Sequence, residues 1–286
     1  MYSNLTKIYE NCPDFHNKYS INKKIHCSKT KSIYNGKNKS TNEQVIIKIF
    51  YKEIKLQNNI KREYEIIKLI DHTNIVKILD YIESSLYTII IYPYNDQSVI
   101  LSKLNKDCYN LKNQENLFKM CNILYNLCDA IFYLHCKNII HRDIKPNNVI
   151  ITNDSPLLID FDLSASIDDI NYYIQKGIIG TPHYIAPEIL WKIKNIDYKK
   201  CDIYSLGITI FYVFNRKNLP YPGSSLGQIE YLISSKTIKH SNCGYSVIDK
   251  FIMTIIDVEP EKRPSLNEIK NFLSRDNINT IIHNIT

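Results

Sequence analysis

Glycine is scarce in this chain, at 7 of 286 residues, where an average composition would supply roughly twenty. That excludes collagen-like and glycine-rich low-complexity architectures. The eight cysteines, at positions 12, 27, 108, 121, 128, 136, 201 and 243, contain no CxxC pair and no zinc-like spacing. A structural zinc module is therefore not expected, and reduced thiols point to an intracellular setting: the cytoplasm or, for a viral protein, the host cell or virion. Long apolar runs are missing too. A run such as Tyr87-Thr88-Ile89-Ile90-Ile91-Tyr92 is far too short to span a bilayer, and the first twenty residues lack a signal-peptide core, so no membrane partner is expected. No basic run interleaved with aromatics occurs, so nucleic acid is not expected as a partner. The formal charge of +7 and pI of 8.8 fit an anionic ligand or an acidic substrate instead.

What is present is an ordinary soluble composition, 44% hydrophobic and 23% charged, long enough for one large domain or two lobes. Isoleucine, asparagine, lysine and tyrosine abound, a bias of AT-rich coding as in some large DNA viruses and protists. Residues 1–20 are polar without a sustained period and read as an N-terminal extension. Short β-type segments follow to Tyr51, and Asn35-Gly36 between two of them suggests a hairpin turn. Residues 53–70 switch to helical spacing, with Ile60, Tyr64, Ile67, Leu69 and Ile70 along one side. Two strands are expected at 76–81 and 87–92. After Pro93-Tyr94-Asn95-Asp96 the pattern turns helical: Leu117, Met120, Leu124, Leu127, Ile131 and Leu134 step by threes and fours. Further helical patterns lie near 202–214, 225–235, 246–257 and 266–273. The expected fold class is α+β: a small β-rich lobe (21–92), a hinge (93–96), a larger helical lobe (97–275) and a tail (276–286).

The densest chemistry lies in His141-Arg142-Asp143-Ile144-Lys145-Pro146-Asn147-Asn148-Val149, between the apolar runs Ile139-Ile140 and Val149-Ile150-Ile151. Alone it reads as a charged turn between strands. Other pieces accompany it in a fixed order. Lys48 closes Val45-Ile46-Ile47-Lys48, and Glu63 follows fifteen residues later on the helical segment; Glu65, two residues on, faces elsewhere. Leu157-Leu158-Ile159-Asp160-Phe161-Asp162 delivers a carboxylate at the end of a strand. Gly180-Thr181-Pro182-His183-Tyr184-Ile185-Ala186-Pro187-Glu188, then Lys200-Cys201-Asp202-Ile203-Tyr204-Ser205-Leu206-Gly207, then Arg263 complete the series.

Together these motifs resemble the protein kinase family, over roughly residues 20–275. The resemblance implies a bilobal protein-kinase-like fold and transfer of the γ-phosphoryl group of ATP, with Mg2+, to protein serine or threonine hydroxyls. It makes Asp143 the residue that orients the acceptor hydroxyl and Lys145 the one that neutralises the transferred phosphoryl group. Asn148 and Asp160 become metal ligands, and Lys48, held by Glu63, meets the α- and β-phosphates. Ile33, Ile46 and Ile150 would enclose the adenine, and the backbone of Pro93 and Asn95 would bond it. Glu188 is expected to pair with Arg263, and Asp202 to anchor the catalytic loop's backbone. Lys145 and Thr181 match the serine/threonine form.

The chain departs from the family at definite places. The glycines of the nucleotide-covering loop fall on His26, Ser28 and Lys31, which is expected to change the loop's shape and weaken ATP binding, with Lys31 adding a cation. Ile46 stands where a small residue roofs the adenine, and Asp162 replaces the glycine of D-F-G. Asn147, without a carboxylate, implies no strong direction towards basic motifs. Gly177 occupies the usual phosphoacceptor position opposite Arg142; Ser164, Ser166, Tyr172, Tyr173 and the Asp168-Asp169 pair are substitutes, and constitutive or partner-driven activity is expected. A monomer is expected, with room for a regulatory partner. The runner-up reading is a pseudokinase scaffold, and a third is a small-molecule phosphotransferase.

Overall fold

In the computed structural model of the chain, the residues described are 2–52, 57–169 and 180–284. They form two compact units, residues 1–71 with 76–98 and residues 72–75 with 99–286.

The first unit is built on an antiparallel five-stranded sheet. Two helices, α1 (Tyr2–Asn11) and α2 (Pro13–Lys18), precede β1 (Tyr19–Cys27), β2 (Lys31–Asn38) and β3 (Gln44–Tyr51). Helix α3 (Gln57–Lys68) separates these from β4 (Asp80–Glu83) and β5 (Tyr87–Pro93), and the strand order is β1-β2-β3-β5-β4. Strand β3 buries Val45, Ile47 and Ile49 on one face and Lys48 and Phe50 on the other. β5 is buried from Tyr87 to Tyr92, which requires cover on both faces.

The cover on one face comes from the N-terminus. Ile8, Cys12 and Phe15, spaced four and three apart, join Tyr19 in a single core with Val45, Ile47, Ile49, Ile89 and Ile91. The aromatic rings stack in series, Tyr9 on Phe15 at 5.8 Å and Phe15 on Tyr19 at 5.9 Å. Residues expected to form a polar extension are thus part of the fold, because a sparse apolar stripe suffices when a sheet face needs covering.

Two other expectations are corrected. Asn35-Gly36 is not a turn but the middle of β2, pairing with both β1 and β3. Gly36 is required by packing there: a Cβ would lie 2.4 Å from the Ser20 carbonyl oxygen. The β2–β3 turn falls instead after Asn38, whose Oδ1 accepts from the backbone N–H of Ser40 at 2.9 Å, with Asn42 left-handed at φ 63°. The strand expected at 76–81 begins only at Asp80.

In the second unit, β6 (Val99–Ile100) pairs with β8 (Val149–Thr152), which forms a hairpin with β9 (Ser155–Leu158). The two-residue turn, Asn153 and Asp154, has positive φ at both positions, as a type I′ turn demands. Helix α4 (Gln114–Cys136) buries all six residues of the expected stripe. It leads to β7 (Ile139–Ile140), paired with β10 (Ala165–Ser166). A short turn of helix, α5 (Pro187–Leu190), is followed by α6 (Tyr198–Phe214), α7 (Leu226–Ser234), α8 (Ser246–Ile255), α9 (Leu266–Leu273) and α10 (Arg275–His283). Helix α6 is buried nearly all round and starts on Asp197, which caps the N–H groups of Lys199 and Lys200. The expected tail is helical: α10 buries Ile278, Ile281 and Ile282. No helix of the described residues is long and apolar enough to cross a membrane.

Candidate active site

Among its described residues, the first unit holds a buried ion pair. β3 places Lys48 beside Glu63 of α3, Nζ to Oε1 2.9 Å, and the Tyr92 hydroxyl donates to the same carboxylate oxygen at 2.8 Å. Glu65 is exposed. Lysine and glutamate are only 5% and 1% exposed, an arrangement that holds an ammonium in a fixed place for an anionic ligand. Ile46 lies two residues before Lys48 and Ile33 pairs directly opposite it, so the three share one face of the sheet. Pro93 ends β5 opposite Val45, and exposed Asn95 closes a turn by accepting from the N–H of Gln97 at 2.9 Å. The hairpin carrying His26, Ser28 and Lys31 needs no glycine: none of the three has positive φ. The Ser28 hydroxyl accepts from the N–H of Lys31 at 3.1 Å, and the Ser28 N–H reaches back to the Lys31 carbonyl at 2.8 Å. Lys31 itself lies 6.0 Å from the centroid of the Phe50 ring.

The second unit holds the polar loop. The carboxylate of Asp143 accepts at Oδ2 from Lys145 Nζ (2.6 Å) and Asn148 Nδ2 (2.9 Å), and at Oδ1 from the Thr181 hydroxyl (2.8 Å). Lys145 also donates to Thr181 Oγ1 at 2.6 Å. Each of the four side chains is therefore fixed by at least one other, which keeps the carboxylate in one orientation. Asn148 also donates to the Asp143 carbonyl at 2.8 Å, so its amide nitrogen is committed to Asp143 and its oxygen faces away. The Asn148 carbonyl accepts from the N–H of Ile159 at 2.9 Å, which ties the loop to the segment carrying Asp160.

Behind the loop, Asp202 of α6 accepts from the backbone N–H groups of His141 and Arg142, both at 2.9 Å, and pairs with His135 at 3.0 Å. Burial pushes the Asp202 carboxyl upward, but the hydrogen bond and charge of His135, with the backbone N–H of His141, prevail and hold it below its ordinary value. His141 is fully buried, and burial holds its imidazole below the usual histidine range. Its Nδ1 accepts from the Asp143 N–H at 3.3 Å, so Nε2 carries the proton toward the Ile159 carbonyl at 3.2 Å.

Two residues of this centre have left-handed backbone without being glycine, Arg142 at φ 67° and Asp160 at φ 66°. Such conformations cost of order 1–3 kcal/mol each and persist where the surroundings over-determine them. Asp162 is not among the left-handed residues, which is why a side chain stands where the family has glycine. Gly180, at φ 126°, does need to be glycine: a Cβ would also approach the Arg142 carbonyl oxygen to 3.3 Å. Glu188 and Arg263 form a bidentate pair at 2.7 Å for both contacts. Ser164 is buried and donates to the His141 carbonyl, so it is not an accessible phosphoacceptor. Tyr172, Tyr173, Gly177 and the Asp169 side chain lie outside the described residues.

Asp160 and Asn148 offer hard oxygen donors of the kind Mg2+ takes, one carboxylate and one amide, so the residues present fit that ion. Ile150 sits on β8, half-buried, opposite Ile100 and Leu157. Two partners were missed at the level of sequence. Tyr92 read only as the end of the strand expected at 87–92, and His135, on the apolar stripe of α4 four residues after Ile131, carried a polar atom where the pattern asks for none.

A buried lysine–glutamate pair and an aspartate held by lysine, asparagine and threonine define a phosphotransferase of the protein kinase class. The sequence profile described as protein kinase domain matches residues 19–273, and the chain belongs to that family. A protein of Acanthamoeba polyphaga mimivirus named as a serine/threonine-protein kinase is 44% identical over 90% of this chain and 93% of its own. CBL-interacting serine/threonine-protein kinase 14 of Arabidopsis thaliana is 28% identical over 88% of this chain, which spans 57% of the plant protein. Calcium-dependent protein kinase 5 of Plasmodium falciparum is 34% identical over 63% of this chain and 32% of the parasite protein.

Proposed function

We propose that this chain is a serine/threonine protein kinase that transfers the γ-phosphoryl group of ATP to hydroxyls of a protein substrate. The observation that carries the reading is the Asp143 carboxylate, fixed by Lys145, Asn148 and Thr181 at 2.6–2.9 Å. Asp143 Oδ accepts the hydrogen bond of the incoming hydroxyl, and its proton, as the hydroxyl oxygen bonds to the γ-phosphorus and the bond from that phosphorus to the β–γ bridging oxygen breaks, releasing ADP. Lys145 stands beside it as the cation that offsets charge on the transferring group, and Thr181 holds both in register. Mg2+, when bound, would neutralise the phosphate oxygens; Asp160 and Asn148 would hold it. Lys48, kept in place by Glu63 and Tyr92, would anchor the remaining phosphates. The adenine contacts at Ile33, Ile46, Ile150, Pro93 and Asn95 belong to the same proposal, as do an intracellular setting and a monomeric working state.

ADP release measured with Mg-ATP and a mixture of serine- and threonine-containing peptides tests the reading. Peptide-dependent ADP production is expected, with a loss of at least a hundredfold in Asp143→Ala and Asp160→Ala, since removing one positioned catalytic group costs about 10²–10⁴. A scaffold that kept the fold without the reaction would bind nucleotide and give no peptide-dependent turnover, which would overturn the proposal.

A further inference from the structure

Three cationic side chains unused by the phosphotransfer chemistry line one open cavity of the second unit. Lys106, Asp107, Tyr109 and Asn110 come from the turn before α4, and Arg216 and Lys217 from the chain just after α6. Three cations face one carboxylate, Asp107. Lys217 is a fixed base of the cavity: its Nζ donates to the carbonyls of Ser102 (2.9 Å) and Leu104 (2.8 Å) and lies 5.1 Å from the Tyr109 ring centroid. Those two carbonyls take two of the ammonium's three N–H donors. Lys106 and Arg216 are exposed at the rim, Arg216 steadied by Nη2 to Asn110 Oδ1 at 3.3 Å. Arg216 and Lys217 both have left-handed backbone, φ 52° and 70°, a conformation that favours glycine or asparagine.

The cavity is tied to the catalytic loop. The turn Leu101–Lys103 packs against Pro146–Asn148, and it is to this turn that Lys217 and the Tyr109 hydroxyl are bonded. Tyr109 meets Tyr212 edge-on at 6.4 Å and 88°. Tyr184, three residues after Thr181, has its hydroxyl pushed up by burial, with Tyr212, Asp143 and Tyr109 the neighbours that add to the shift. Tyr184 in turn lines one small pocket with Asp143 and Thr181. Asn147, exposed beside the catalytic aspartate's loop, offers no carboxylate to a basic substrate residue.

We infer that this cavity is a substrate subsite for an acidic residue, a carboxylate or a phosphate, carried by the same peptide as the acceptor hydroxyl. Lys106 and Arg216 contact the anion, while Lys217 supplies fixed charge beneath it. The inference rests on the kinase reading above.

The test uses peptides with one acceptor serine and a single glutamate or phosphoserine moved one position at a time on either side of it, against an all-alanine background. In the full chain, kcat/KM is expected to rise about three- to tenfold at one or two adjacent positions, the range of one or two partly exposed charge-assisted hydrogen bonds. Phosphoserine should exceed glutamate, and the preference should shrink with added salt. In Lys106→Gln/Arg216→Asn, where asparagine tolerates the left-handed backbone, the preference should vanish through KM while the alanine peptide reacts as before. A preference that survives in the double variant, or that occurs at no position, overturns the subsite. Inhibition by inorganic phosphate that depends on Arg216 without any peptide preference also overturns it, marking an anion site that does not read substrate. Absence of transfer to every peptide overturns the kinase reading instead.

Discussion

Replacing Arg263 with methionine should destabilise the second unit by about 3–5 kcal/mol, the usual effect of removing one partner from a buried ion pair. Arg263 is 2% exposed and Glu188 3%. The guanidinium makes two contacts of 2.7 Å to the carboxylate and donates as well to the carbonyls of Asp257 (2.8 Å), Lys200 (2.9 Å) and Val258 (3.3 Å). It lies 4.9 Å from the Tyr204 ring centroid. In Arg263→Met the Glu188 carboxylate keeps the Cys201 thiol, 3.2 Å away, as its donor. That thiol stays protonated, because burial and then the carboxylate itself raise it well above its ordinary range. Against a total stability of about 5–15 kcal/mol the loss is large. Trp191, the single tryptophan, directly follows α5, so its fluorescence in a urea titration reports on the right place. The double variant Glu188→Leu/Arg263→Met should recover much of the loss, since it leaves no buried charge. A single-variant loss below about 1 kcal/mol, or a double variant as unstable as the single, would refute the reasoning.

Three more outcomes follow from the same contacts. Thr181→Ala should lower kcat by roughly ten- to a hundredfold, a lost hydrogen bond to a charged group being worth about 1.5–3 kcal/mol, while Thr181→Ser should stay near wild type; equal kcat in both variants would remove Thr181 from its positioning role. Phe15→Ala should lose about 3–5 kcal/mol in urea unfolding, as for a buried ring, and a loss under 1 kcal/mol would show that α1 and α2 do not cover the sheet. His141 is held below its ordinary value of 6.5 by burial, so the unfolded chain takes up its proton first and stability should fall as pH drops through about 6.5. Asp202, held below its ordinary 3.8, contributes stability that is present above that value and lost only at lower pH. Urea titrations at pH 7.5, 6.5 and 5.5 read the histidine effect, and a flat profile would contradict a buried neutral imidazole.

The legible parts of the sequence were those where one pattern had one physical meaning. The stripe from Leu117 to Leu134 could only be an amphipathic helix, and α4 is that helix. Lys48 and Glu63 were separable from Glu65 because two residues along a helix change the face, and the 2.9 Å contact falls where that spacing puts it. The misreadings share a cause: local signals were overridden by packing. Asn35-Gly36 reads as a turn in isolation, yet Gly36 serves the close approach of β1. The N-terminal residues read as polar because their buried apolar stripe is sparse: Ile8, Cys12 and Phe15. The unbroken apolar run of β5 was the available clue, since it asks for cover on both faces. In the glycine-free β1–β2 hairpin the Ser28 hydroxyl closes the turn, with no positive φ at His26, Ser28 or Lys31. His135 and Tyr92 were invisible because their partners, Asp202 and Glu63, are far away in sequence.

The central claim is tested most directly by phosphoamino-acid analysis of a generic protein substrate after incubation with γ-labelled ATP, Mg2+ and either wild-type protein or Asp143→Ala. Label on serine and threonine with the wild type, and background label with Asp143→Ala, is the predicted result. Equal label with both proteins, or label confined to tyrosine, would contradict it.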